Sequence, residues 1–528
     1  MKNPRQGAGV GARLLWSAAG LLTALTAWMV DMGVAEAVPA FARKYDMTCN
    51  VCHTRQPRLN TFGQRFLENG YQLPGTEDGG VTLKRLLGGE LNGATVDDVA
   101  NFFAVRLRAD VQKATFREDT TPRDELDVRG DPDIVFPRTI NLFFAGTATK
   151  NVSFFLEGEF DTQDPAESFF AFERAYLAFD NIGGHQIANF KIGKYDPSSF
   201  FSFPTHRQQL NPIKPKAETN EFPPPIGRIP LLPLAFASKM FGLTTGPSNA
   251  DASNGIIGAG PLTGLERFTG TGNDGYSILP FEPWLFNAPF QKGMSLHGRP
   301  FGPRFLYQVG LVQNSTAEDT PDTRWDTYVM LRYDQMAGDY SAFQVSAFYY
   351  RAPKAARATL APPPISGDVI FSDDALDWKR YGVGARWQYR FIDVYGTVIW
   401  DKIDQPDFGN AAANTSDWET DALGVSLEAD WLITQKWMLG ARYDFMRTGG
   451  LSRLPVAFRA PGDEDLNQDA SFLSVIAKYY YTPNIGLYGR VHYNLEDSVN
   501  QPANVGGGEE HPATNLESMV TIGVDMAF

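Results

Sequence analysis

The sequence runs to 528 residues with 47 Lys and Arg against 61 Asp and Glu, a formal charge of −14. That sign excludes nucleic acid as a partner, because neutralising phosphate needs basic side chains. Apolar residues make up only 43% while aromatics reach 13%, and past the N-terminal region no run of 18 residues is apolar without interruption, which argues against membrane-spanning helices.

Lys2, Arg5 and Arg13 open the chain, an apolar run follows from Leu14 to Val30, and Ala35-Glu36-Ala37 has the form of a small-x-small cleavage site. This pattern predicts a signal peptide over 1–37 rather than an anchor, since the run is short and ends in a cleavage signal. There is no twin arginine, so export as an unfolded chain is expected. Removing 1–37 leaves 44 basic and 59 acidic side chains, a charge of −15. The remaining length suits either several soluble domains or one large barrel.

Both cysteines of the chain fall in Cys49-Asn50-Val51-Cys52-His53. Cys-x-x-Cys-His is the spacing that attaches a c-type haem: each thiol forms a thioether with one vinyl group, and the adjacent histidine ligates the iron. Cys49, Cys52 and His53 are therefore the predicted cofactor-binding residues, with His53 the metal ligand and one covalent haem c the cofactor. A thioredoxin-like pair would want a βαβ context, a structural zinc would want four ligands, and a disulfide across two residues would be strained. Attachment after export as an unfolded chain is consistent with the leader.

Residues 57–71 follow with helical spacing, Leu59, Phe62 and Phe66 forming one stripe and Asn69-Gly70 a C-terminal stop. The span 38–98 reads as a monohaem plug too short for a core of its own. No His or Met occurs between His53 and His185. The distal haem ligand is thus left open among Met47, His206, Met240, Met294, His297 and water, the last four residues being placed in loop.

From residue 99 to 528 the pattern is that of an all-β transmembrane barrel. Period-two alternation marks 103–112, 151–161, 379–389, 421–431, 435–445 and 471–480, each near the ~10 residues a tilted strand needs to cross a bilayer. Tight turns at Lys150-Asn151, Asn181–Gly184, Ala337-Gly338, Arg390-Phe391, Thr434-Gln435 and Pro483-Asn484 alternate with long polar stretches at 117–137, 352–376, 404–418, 448–468 and 497–512. Outer-membrane barrels keep short turns in the periplasm and long loops outside. Fifteen strands are visible, and the directions of 186–194 and 304–313, both upward, require a hidden downward strand within 200–300, placed near 274–290, for a total of about sixteen. Alternation directs Arg106, Arg108, Glu157, Glu159, Arg174, Lys191, Arg332, Arg386, Glu428, Asp430 and Arg442 into the lumen. The last strand, with Val520, Ile522, Val524, Met526 and Phe528 on one face, carries the terminal aromatic expected of an outer-membrane barrel. The location predicted is the outer membrane of a Gram-negative bacterium, crossed many times, with the haem segment facing the periplasm or the lumen.

Phe41-Ala42-Arg43-Lys44-Tyr45, Cys49–His53 and Pro57-x-Leu59-Asn60-x-Phe62-Gly63-x-x-Phe66-x-x-Asn69-Gly70-Tyr71 together resemble the fused monohaem cytochrome–porins of iron-oxidising bacteria, over about 35 residues. The resemblance implies a barrel of roughly sixteen strands with the cytochrome segment at its periplasmic side or in its lumen. It implies that extracellular Fe(II) is oxidised and that electrons pass to a periplasmic c-type cytochrome or copper protein, with outer-membrane lipid around the barrel. No motif marks an iron site; Glu509, Glu510 and His511 form a cluster whose carboxylate and imidazole groups would suit Fe(II). A haem-plugged solute porin is an alternative, as is an electron conduit with another donor or acceptor or with outward flow.

Overall fold

The computed structural model describes residues 40–45, 47–55, 58–73, 102–116, 133–149, 151–161, 171–184, 186–195, 291–313, 325–336, 341–352, 377–404, 419–449, 469–495 and 516–528. The leader at 1–37, the remainder of the plug to residue 98, His206, Met240 and Glu509–His511 lie outside the described residues.

The N-terminal segment contains α1 (Ala40–Tyr45), a 3-10 turn (Cys49–Val51), a small hairpin of β1 (His53–Arg55) and β2 (Arg58–Leu59), and α2 (Thr61–Glu68). The strands that follow are β3 (Phe103–Phe116), β4 (Asp133–Thr149), β5 (Val152–Asp161), β6 (Ala171–Ile182), β7 (Ala188–Tyr195), β8 (Gln291–Gly298), β9 (Phe305–Gln313) and β10 (Trp325–Met336). They continue with β11 (Ser341–Ala352), β12 (Asp377–Tyr389), β13 (Ile392–Asp404), β14 (Glu419–Leu432), β15 (Trp437–Gly449), β16 (Asp469–Thr482), β17 (Ile485–Asn494) and β18 (Leu516–Ala527).

β3 to β18 form a closed sixteen-stranded barrel in which each strand pairs with its sequence neighbours and β18 returns to β3. The pairing is antiparallel throughout, with Val524 opposite Ala109 and Asp525 opposite Arg108 at the closure. Lipid offers no hydrogen-bond partners, so a spanning sheet must close its edges in this way.

The pleat sorts residues by solvent. On β10, Tyr328, Met330, Arg332 and Asp334 are buried, while Val329 and Leu331 between them are 43% and 59% exposed. A charged strand interior against an apolar outer face identifies the outer face as the lipid side. Aromatic rings gather at both margins of that face: Trp387 stacks on Tyr389 at 5.9 Å near one end, and Tyr381 on Trp400 at 5.7 Å near the other. The chain is a multi-pass β-barrel of the outer-membrane kind. Every lumen assignment made from alternation holds for the described side chains, from Glu157, Glu428 and Asp430 at 0% exposure to Arg106 and Arg174 paired with Asp525 and Glu157; the side chain of Glu159 is outside the described set.

Two boundaries differ from expectation. The strand placed near 274–290 is β8, Gln291–Gly298; it is short and holds two glycines, and Pro300, Gly302 and Pro303 beyond it form a tight turn rather than a loop. The polar stretch 117–137 ends sooner, because β4 begins at Asp133.

The N-terminal segment lies inside the barrel mouth at the short-turn end. Its partners sit beside tight turns: Gln186 donates to Asn69 at 2.7 Å, Pro303 accepts from Arg65 at 3.4 Å, and Gln388 accepts from the Thr61 amide at 3.1 Å. An aromatic cluster fixes the rest. Phe41 stacks on Tyr71 at 5.0 Å and meets Phe66 edge-on at 5.2 Å, and Tyr71 stacks on Phe155 of the barrel wall at 5.9 Å. The stripe expected on α2 divides here. Phe66 is buried, but Phe62 is 37% exposed, and the face turned to the wall carries Thr61, Gln64 and Glu68. A helix docked in a polar lumen buries its polar face.

Candidate functional site

The Cys49–His53 motif is built by a short run of backbone bonds. The Val51 amide donates to the Thr48 carbonyl at 3.1 Å and the Cys52 amide to the Cys49 carbonyl at 3.2 Å, coiling the cysteine loop into one turn. Asn60 then staples that turn to α2. Its backbone amide donates to the Cys52 carbonyl at 2.9 Å, its side-chain amide donates to the Val51 carbonyl at 2.8 Å, and its Oδ1 accepts from the Gly63 amide at 2.9 Å as the helix cap. Gly63 has no room for a side chain, since an added Cβ would collide with the carbonyl oxygen of Cys52.

His53 Nδ1 lies 3.3 Å from the Arg58 carbonyl oxygen across the hairpin. A carbonyl can only accept, so Nδ1 carries the proton and Nε2 the lone pair. Histidines that ligate a metal hold the other ring nitrogen in this way, which fixes the tautomer and ring orientation. Neither cysteine is in a disulfide. Burial, and then the neighbouring Cys49, push the Cys52 thiol up to about 11. Val51, between the two cysteines, and Phe62, next to Gly63 on α2, are both exposed. This donor set fits a c-type haem held by Cys49, Cys52 and His53. Among the described residues no group of three or more His, Cys, Asp and Glu gathers as a separate metal site.

Two buried charge clusters hold the motif in the barrel. Arg58, 1% exposed, reaches Asp430 at 2.9 Å, Asp393 at 3.2 Å and Glu428 at 3.3 Å, and its guanidinium lies 3.5 Å from the centre of the Tyr395 ring. Burial alone would lower its proton affinity, but Asp393, Tyr395, Asp430 and Glu428 reverse that and raise it. Arg386 binds Asp393 at 2.6 Å and donates to the Leu59 carbonyl at 2.8 Å. At the other end of α2, Glu68 pairs with Arg299 at 2.6 Å and with Arg332, and both arginines meet Asp334. Removing one member of a buried network leaves the others uncompensated, so such contacts fix geometry strongly.

The candidate distal ligands separate. Met294 is on β8 opposite Ile192 and Leu311, both exposed on the lipid side, so it faces away from the lumen. His297, also on β8 rather than in a loop, is buried in the lumen with Nε2 3.4 Å from the Glu68 carbonyl, at the far end of α2 from Gly63. Met47 stands two residues before Cys49, its amide donating to the Ala42 carbonyl at 3.0 Å. Sequence reasoning missed the anchoring roles of Arg58, Asn60, Glu68, Arg299, Asp334 and Asp393. The signal that could have found half of this was the pair Glu428 and Asp430, two carboxylates on one lumenal face with no cation on their own strand.

No family model and no curated protein matches the sequence. Among solved structures the chain is similar to OmpT, an outer membrane protein of Vibrio cholerae, at 12% identity and a TM-score of 0.41 over 81% of this chain and 96% of that one. It is likewise similar to an anion-selective porin from Comamonas acidovorans, at 14% identity and a TM-score of 0.42 over 81% and 98% of the two chains. A complex of Salmonella typhi OmpF with daunomycin gives 10% identity and a TM-score of 0.42 over 81% and 97%. The barrel assignment rests on this chain's own strand pairing and faces.

Proposed function

We propose that this chain is an outer-membrane electron-transfer protein of the fused cytochrome–porin type, taking electrons from extracellular Fe(II) and delivering them to a periplasmic c-type cytochrome or copper protein. The observation that supports it is the His53 Nδ1 bond to the Arg58 carbonyl, in a segment that spends both cysteines of the chain on the preceding turn. Haem c bound at Cys49, Cys52 and His53 would supply a centre that gains and loses one electron.

The protein's own residues define what that centre would need. The Arg58 carbonyl orients the His53 ring, Asn60 and Gly63 hold the cysteine turn against α2, and Arg58 with Asp393, Glu428 and Asp430 fixes the hairpin to the wall. The motif sits at the short-turn end of a barrel that crosses a hydrocarbon core of ~30 Å. One centre there does not span that distance, so in this reading the ferrous ion enters the lumen from the long-loop side and gives up its electron near the plug. Fe(III) precipitates near neutral pH, and in this reading the N-terminal segment in the mouth keeps it out of the periplasm.

Anaerobic addition of Fe(II) to the purified, haem-loaded protein tests this. The expected result is conversion of the oxidised haem spectrum to the reduced one; unchanged absorbance contradicts the iron assignment. A second reading, a haem-plugged solute porin, draws on the charged lumen wall of the closed barrel. Single-channel conductance separates the two, since an open and selective pore in the haem-loaded protein favours the porin.

A further inference from the structure

The barrel rim beside the motif carries a charge opposite to that of the chain. Arg390 and Phe391 form the two-residue turn between β12 and β13, closed by Tyr389 opposite Ile392. The Phe391 carbonyl accepts from the Leu432 amide at 2.8 Å, which joins this turn to the next one at 433–436, where Lys436 is exposed. Phe391 is 62% and Ile433 43% exposed. A third turn, 299–304, presents exposed Arg304 and Phe301 at 83% exposure, and is gripped from the plug by Arg65 through the Pro303 carbonyl.

These three turns contain no Asp or Glu at all. The described carboxylates next to them, Asp393, Asp430 and Asp334, are buried and turned inward onto Arg58, Arg386, Arg299 and Arg332. Among the described residues of these three turns the exposed charge is basic, in a chain of net charge −14. Arg390 also has a φ of 49°. The first position of a two-residue hairpin with positive φ ordinarily takes glycine or asparagine; a side chain kept there against that preference points to a use for it.

The arc is one step from the candidate haem site. Gln388, two residues before Arg390, donates to Thr54 Oγ1 at 3.2 Å, and Thr54 follows His53. Asp430, on the strand leading to the Lys436 turn, holds Arg58, whose carbonyl accepts a hydrogen bond from His53 Nδ1. Arginine with exposed aromatics is the composition of a protein-binding surface, and rim charges of one sign steer a partner of the other sign.

We propose that Arg390, Lys436 and Arg304, with Phe391 and Phe301, form the docking surface for a soluble one-electron carrier whose contact face is acidic. This rests on the electron-transfer reading above and specifies its periplasmic partner. The step is a single electron leaving the reduced haem iron and entering the oxidised metal of the carrier; no bond forms or breaks and no proton moves.

The test uses the full haem-loaded chain in detergent, reduced with ascorbate so that Fe(II) plays no part. It is mixed in stopped flow with an oxidised blue-copper protein of acidic surface, and in parallel with a basic soluble c-type cytochrome. Transfer to the acidic carrier is expected to fall about tenfold between low and physiological salt, and by a similar factor at low salt in the double variant R390E/K436E. The double variant should gain rate with the basic carrier, and R390Q should show a smaller loss in the same direction. R351E, an exposed arginine at the opposite end of the barrel, should leave the rate unchanged, and heat-shift on a gel confirms a folded barrel in each variant. Rates indifferent to salt and to charge reversal overturn the proposal. So does a loss confined to binding of phosphatidylglycerol vesicles, which would make the arc a lipid anchor. A haem-loaded chain inert to Fe(II) but retaining rim-dependent transfer overturns only the iron reading, and a chain that stains negative for haem overturns both.

Discussion

Gly63 shows how closely the cysteine turn and α2 are fitted. Replacing it with alanine drives a methyl into the Cys52 carbonyl, an overpacking expected to cost about 1–3 kcal/mol. Gly63→Ala should therefore lower the yield of covalently haem-loaded protein on a denaturing gel stained for haem, whereas alanine at exposed Phe62 should leave attachment intact. Arg58 is a stronger test of the anchor. Arg58→Met removes the guanidinium that Asp393, Glu428 and Asp430 share, a loss of roughly 3–5 kcal/mol; limited proteolysis should then cut the N-terminal segment away from a barrel that remains closed. The Cys52 thiol carries a pH prediction. Burial and Cys49 raise it to about 11, so the thiolate is scarce below that pH. Alkylation of Cys52 in the haem-free protein should be slow at pH 8 and accelerate toward pH 11; a midpoint near the ordinary thiol value of ~8.5 would contradict the burial. The motif itself was fully legible at this scale, because Cys-x-x-Cys-His is defined by spacing alone. Its supports were not, since Arg58 meets Glu428 and Asp430 across some 370 positions of sequence.

The second helix was legible as a helix, with Asn69-Gly70 as its end, but its Asn60 cap and the polar face it turns to the wall were not. Apolar spacing pointed to Leu59, Phe62 and Phe66, a rule that holds when the surroundings are an apolar core. The surroundings are a lumen wall of charge and amide, so Gln64 and Glu68 face it and Phe62 does not. Glu68 is the tether at the far end, bonded to both Arg299 and Arg332. Glu68→Ala should loosen the C-terminal half of α2 and raise single-channel conductance, while haem attachment at the other end persists. β8 was hidden because eight residues with two glycines give little alternation, and its position moves Met294 to the lipid face and His297 to the end of α2 remote from the motif. Substituting Met294 or His297 should accordingly leave the axial-ligand spectrum of the haem unchanged, and a spectral shift in either variant would contradict that placement.

At the scale of the whole molecule, parity and the alternation of short turns with long polar stretches were enough to give a closed barrel of sixteen strands and the sign of each lumenal face. Closure leaves the sequence no freedom, because a strand edge in lipid has no partner, and one strand found on parity alone completes the ring. Position within the barrel was not legible: nothing in the spacing of 38–98 told whether that segment hangs below the barrel or enters it. The buried pairs of Arg58 and Glu68 with the wall put it inside the mouth at the short-turn end. In the proposed function one electron crosses this molecule while the iron that gave it stays behind. This is tested by liposomes holding the haem-loaded protein in the bilayer and an oxidised soluble c-type cytochrome inside, with Fe(II) added outside under anaerobic conditions. The expected result is reduction of the entrapped cytochrome without entry of iron, abolished in C49A/C52A. Entrapped cytochrome that stays oxidised, or is reduced equally well by C49A/C52A, would contradict it.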